Sequence, residues 1–99
     1  MRFGLSETAF NLIIATLKSF PEITQAAIFG SRAMGNFKNG SDVDIAIFGE
    51  GANELVAIRL SSLLNESSSL PYKFDIVAYE PCKNIELRAH IDNYGKPLL

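Results

Sequence analysis

The sequence predicts an α/β fold of the α+β kind, with a small sheet of about three strands flanked by about four helices. Two observations carry that expectation. Stretches with apolar residues at i, i+3, i+4 and i+7 alternate with short runs in which apolar residues recur at every second position. Turn and capping residues separate them at Pro21, Gly30-Ser31, Gly35, Asn53, Asn84 and Gly95.

Ser6-Glu7 is a helix start, and Phe10, Ile13, Ile14 and Leu17 then repeat along one stripe until Pro21 ends it. From Ile23 to Phe29 small and branched apolar residues predict a buried strand that stops at Gly30-Ser31, where a short helix begins at Ser31. Gly35, Asn36, Asn39 and Gly40 mark a loop. Val43, Ile45 and Ile47 then alternate with Asp42, Asp44 and Ala46, the period of a strand, so the aspartates share the face opposite the apolar one. Asn53 caps a second amphipathic helix carrying Val56, Leu60, Leu63 and Leu64, which ends in the polar run Asn65 to Ser69. In the run Tyr72 to Tyr79, Phe74 and Ile76 point one way, Asp75 and Val77 the other. Asn84 caps a last helix with Leu87, His90, Ile91 and Tyr94 on one face, stopped by Gly95 and Pro97.

With 99 residues and 47% hydrophobic side chains, the chain suits one domain over residues 1–99 with a single core. A formal charge of -2 and the lack of any basic cluster argue against nucleic-acid binding. Cys82 is alone and has no disulfide partner within the chain, and no apolar run has the length of a membrane span. The expected compartment is the cytoplasm.

Asp42 and Asp44, two residues apart on one strand, have Cα atoms about 7 Å apart and carboxylates on one face. Such a pair repels itself unless neutralised, and oxygen ligands of this kind favour magnesium or manganese. If the strands lie side by side in the right register, Asp75 joins them as a third carboxylate. Gly30 permits close backbone approach, and Ser31 stands where a helix N-terminus offers N–H groups to an anion. The calcium-loop reading of Asp42-Val43-Asp44 fails, because Ile47 and Asn53 stand where that loop requires glycine and glutamate. His90 is read as a ring packed at the core edge, Cys82 as an inert thiol, and Lys38, Lys73 and Lys83 as solvated surface lysines.

The run Ile28-Phe29-Gly30-Ser31-Arg32-Ala33, followed, after ten residues counted from Arg32 to Ser41, by Asp42-Val43-Asp44-Ile45 and then by Asp75 in Lys73-Phe74-Asp75-Ile76-Val77, resembles the signature of the minimal nucleotidyltransferases of the DNA polymerase β-like superfamily. The resemblance implies the mixed sheet of the nucleotidyltransferase fold. It also implies two magnesium ions, with manganese as an alternative, held by Asp42, Asp44 and Asp75 as catalytic and metal-binding residues, and an ATP triphosphate held by Gly30, Ser31 and Arg32. Many relatives carry arginine where this chain has Met34.

Small members of the family resemble the antitoxin of HEPN-MNT toxin–antitoxin pairs. The implied activity is transfer of AMP from ATP to a tyrosine of a helical HEPN partner in a heteromeric complex. Two other readings stand beside it: a binding module that neutralises its partner by masking it, and adenylylation of a small hydroxylated molecule.

Overall fold

In the computed structural model, which describes residues 2–99 and the side chains of all of these except Ser67, the capping residues act as the sequence suggests. The side chains of Ser6, Asn53 and Asn84 accept hydrogen bonds from the N–H groups of Ala9, Val56 and Leu87, each at 3.1 Å. Each satisfies an N–H that the first helical turn leaves without a partner. The helices they start are α1 (Glu7–Lys18), α3 (Glu54–Ser62) and α4 (Ile85–Tyr94). A five-residue helix, α2 (Gly30–Met34), follows the first strand and ends at Gly35 in the left-handed region.

Strands β1 (Gln25–Phe29), β2 (Val43–Phe48), β3 (Phe74–Ala78) and β4 (Lys96–Pro97) form one sheet in the order β3-β2-β1-β4. Strand β1 is antiparallel to β2 and β4, whereas β2 and β3 are parallel, so α3 serves as the crossover between them. The sheet is thus mixed, as the resemblance implies.

Alternation sorts the strand residues onto two faces. Ala26, Ile28, Val43, Ile45, Ile47 and Phe74 face α1 and α3 and form the main core with Ile13, Leu17, Val56 and Leu60. Phe29 and Ala46 face the other way and pack under Ile91 of α4, with Phe48, Val77 and Leu87 around them. Helices therefore cover both faces, but α4 covers only part of the second. The uncovered part holds the carboxylates.

The structure departs from the sequence expectations at four places. The sheet has a fourth strand, β4, because Lys96 and Pro97 add to the outer edge of β1 opposite Ile28 and Ala27; a proline lacking an N–H is tolerated on such an edge. Strand β1 starts at Gln25, although Ile23 before it is buried. Asp42 lies just before β2, not within it. Leu63, expected on the buried stripe, is exposed because Leu63–Ser67 forms a π-helical turn that shifts the phase of the helix while Leu64 stays buried. Among the described residues, no helix is long and apolar enough to cross a membrane.

Candidate active site

Asp44 of β2 stands directly opposite Asp75 of β3 and directly opposite Phe29, the last residue of β1. In a parallel pair, opposed residues project from the same face at the separation of neighbouring strands, about 4.8 Å. The register thus brings two of the three aspartates together. Asp42 shares their side by alternation and adds its charge from the loop entering β2. Asp42 and Asp44 are half-buried, whereas Asp75 is exposed on the edge strand.

Crowding of like charge shows in Asp44. Its pKa is pushed from an ordinary 3.8 to about 6, first by burial, then by the charges of Asp75 and Asp42; His90 and Arg32 pull weakly the other way. The site therefore lacks one thing electrostatically, a positive charge.

Among the described residues, no three His, Cys, Asp or Glu side chains are placed to cage a metal ion by themselves. Magnesium seldom requires such a cage: it commonly uses one or two carboxylates and completes its octahedron with water and substrate phosphate. An all-oxygen donor set, with one carboxylate destabilised by its neighbours, fits a hard divalent cation delivered with a phosphate ligand.

The turn between β1 and α2 abuts Asp44. Gly30 has φ +72°, and a Cβ built on it would collide with the Asp44 carboxylate. Only glycine meets both conditions. Gly30→Ala is expected to cost about 1–2 kcal/mol from the left-handed backbone alone and to displace the Asp44 side chain. Urea unfolding measures the first effect, and NMR titration of the carboxyl carbons reads the second as an altered Asp44 midpoint. Ser31 follows as the second residue of α2, half-buried.

His90 has a role beyond the core packing expected of it. Its ring does pack at the core edge, against Phe29 and Tyr94 with centroids 6.0 and 5.1 Å away. Its Nε2 also lies 3.0 Å from the Gly30 N–H, which donates to it. Helix α4 thereby fixes the turn that borders Asp44. No spacing rule links residues 30 and 90, so only the folded chain reveals the contact.

Arg32, which the resemblance implies as a phosphate ligand, is 4% exposed and points inward. Its Nε and Nη2 donate to the Ser41 carbonyl at 3.2 and 3.0 Å, and its Nη1 donates to the Phe3 carbonyl at 2.8 Å. The guanidinium also lies over the rings of Phe37 and Tyr72. The arginine is a clamp: it holds the carbonyl of Ser41, next to Asp42, and so sets the path of the loop into β2.

The sequence profile described as "Polymerase beta, Nucleotidyltransferase" matches residues 11–99. No curated protein matches the chain. Among solved structures, it is similar to a chain of a toxin–antitoxin crystal structure with AMP-PNP, at 26% identity and a TM-score of 0.76, over 91% of this chain and 72% of that one. A mutant of the toxin–antitoxin pair MntA-HpeT gives 27% identity and a TM-score of 0.74, over 96% and 72% of the two chains. A tri-AMPylated Shewanella oneidensis HEPN toxin in complex with MNT antitoxin contains a chain of the same fold, with 23% identity, a TM-score of 0.70 and coverage of 96% and 72%. With residues 11–99 inside the family profile, this chain belongs to the polymerase β nucleotidyltransferase family.

Proposed function

We propose that the chain is a magnesium-dependent nucleotidyltransferase that transfers AMP from ATP to a tyrosine hydroxyl of a HEPN-type partner, and that this modification makes it an antitoxin. The observation that carries the reading is the register of Asp44 opposite Asp75, with Gly30 held against the Asp44 carboxylate. Likeness to a complex crystallised with AMP-PNP supports ATP as donor, and likeness to a complex with a tri-AMPylated toxin supports a protein acceptor.

In this reading Asp42, Asp44 and Asp75 would hold two magnesium ions, Asp75 also faces the acceptor, and the Gly30-Ser31 turn supports the triphosphate. Bound magnesium supplies neutralisation of the charge that builds on the α-phosphate and on departing pyrophosphate. The acceptor oxygen forms a bond to the α-phosphorus, the bond from that phosphorus to the bridging oxygen of the β-phosphate breaks, and pyrophosphate leaves with the electron pair. The acceptor proton passes to the Asp75 carboxylate and then to water. Exposure of Asp75 on an edge strand suits a group that meets a second macromolecule.

The test is incubation with α-labelled ATP, magnesium and a HEPN partner, followed by mass spectrometry of the partner. The expected result is AMP on a tyrosine, lost in an Asp42→Asn, Asp44→Asn variant. Neutralisation of the partner by that variant as effectively as by the wild type, without transfer, would replace the proposal with a masking module.

A further inference from the structure

Strand β3 is an edge strand, and its main chain divides by parity. Val43 N–H donates to the Lys73 carbonyl and Tyr79 N–H donates to the Ile47 carbonyl, so the odd-numbered residues of β3 turn their amides toward β2. The even-numbered residues turn outward. Phe74 is closed by a side chain that imitates a strand: the Asn65 carboxamide accepts from the Phe74 N–H at 2.7 Å and donates to the Phe74 carbonyl at 2.9 Å. Ile76 and Ala78 follow, and among the described residues no side chain serves them in this way. The open edge therefore starts just past Asn65, beside Asp75.

A groove of about 610 Å³ runs along this edge between β3 and α3. Ile58, Ile76 and Cys82 give it an apolar floor, and Glu54, Glu66 and Asp75 stand on its walls, with no lysine or arginine among its lining residues. Ile58 is 65% exposed, a large apolar side chain left in water at the groove. Open amides, an apolar floor and acidic walls together describe a site for an extended peptide that adds a strand.

We propose that this groove receives the acceptor segment of the partner as an added β-strand, basic at its flanks and apolar at its centre, and so presents a hydroxyl to Asp75. The inference rests on the transfer reading for the hydroxyl but not for the docking. Alternation supplies the geometry. A residue placed opposite Asp75 projects from the carboxylate face, its neighbour on the Ile76 side projects over Ile76 and Ile58 on the α3 face, and its neighbour on the Phe74 side lies past the open edge, where Asn65 holds the Phe74 main chain. Lysines further out on that α3 face meet Glu54 and Glu66. The Asn65 carboxamide ends the open edge and so limits how far the segment can slide.

The probe is a blocked heptapeptide, Lys-Ser-Val-Tyr-Val-Ser-Lys, titrated against the 99-residue chain by fluorescence anisotropy, with AMP transfer to the same peptide measured separately. Two variants of α3 separate the groove from general surface effects. Ile58→Lys is expected to weaken binding at least tenfold, whereas Leu55→Lys, on another exposed apolar residue of α3 outside the groove, leaves it unchanged. A peptide with glutamate in place of both lysines is expected to bind at least tenfold more weakly than the probe. Binding that obeys these rules without AMP transfer upholds the groove and counts against the enzymatic reading. Transfer that is indifferent to Ile58→Lys upholds the enzyme and overturns the groove. Absence of peptide binding, or an Ile58-dependent dimer in analytical ultracentrifugation, also overturns it.

Discussion

Replacing Asp44 with asparagine is expected to stabilise the metal-free chain at neutral pH while lowering nucleotidyl transfer by about 10³-fold or more, a loss of roughly 4 kcal/mol of transition-state stabilisation. The two effects share one cause. Asp44 carries a folded pKa of about 6 against an ordinary 3.8 because burial, Asp75 and Asp42 all oppose its charge. Between these values the folded chain binds more protons than the unfolded chain, so wild-type stability falls as pH rises from about 4 to about 6 and then levels off. Full conversion of the shift would give about 3 kcal/mol. Asp44 is only half-buried, and solvent screening reduces this to about 1 kcal/mol. Asparagine has no such titration. The variant is expected to match the wild type near pH 4 and to melt about 4–8 °C higher above pH 6.5. Saturating magnesium and ATP reverse the order, because ligand binding then stabilises only the wild type. Calorimetric melting across pH, with and without ligand, checks each part.

Arg32→Ala is expected to be the most destabilising single change near the site, by about 2–4 kcal/mol, since it leaves the part-buried carbonyls of Ser41 and Phe3 without donors and removes two cation–ring contacts. Removal of a buried charge offsets part of this loss. Arg32→Lys does not restore the clamp, because an ammonium lacks the planar fork that serves two carbonyls on different segments. In urea, both variants are expected to unfold at lower midpoints with little change in slope. Their transfer activity falls through the displaced Ser41-Asp42 path. Had Arg32 been a phosphate ligand on the surface, alanine would have weakened ATP binding and left the urea midpoint nearly unchanged.

The helices are legible in the sequence because their signals are local. Ser6, Asn53 and Asn84 cap from three residues away, and the apolar stripes of α1 and α3 follow the helical period with the core. Alternation in β2 and β3 likewise assigns the aspartates to one face. What alternation leaves open is register: nothing local says that Asp44 meets Asp75 and not its neighbours, and the resemblance to the nucleotidyltransferase signature supplies that step.

The features that sequence patterns miss share the opposite property. His90 meets Gly30 across 60 residues, and Arg32 turns inward to meet Phe3 and Ser41. Strand β4 depends on the distant edge of β1, with a two-residue sequence too short to carry a period. Arginine after a glycine turn is ordinarily a surface residue. Here two carbonyls and two aromatic rings, far apart in sequence, make the interior the better solvent for its guanidinium.

Titration of magnesium and ATP into the wild-type chain and into the Asp42→Asn, Asp44→Asn variant by isothermal calorimetry tests the central claim without need of the acceptor. The account requires magnesium-dependent ATP binding by the wild type that weakens at least 100-fold in the variant, with circular dichroism showing both folded. Failure of the folded wild type to bind ATP, or equal binding by the variant, would contradict it.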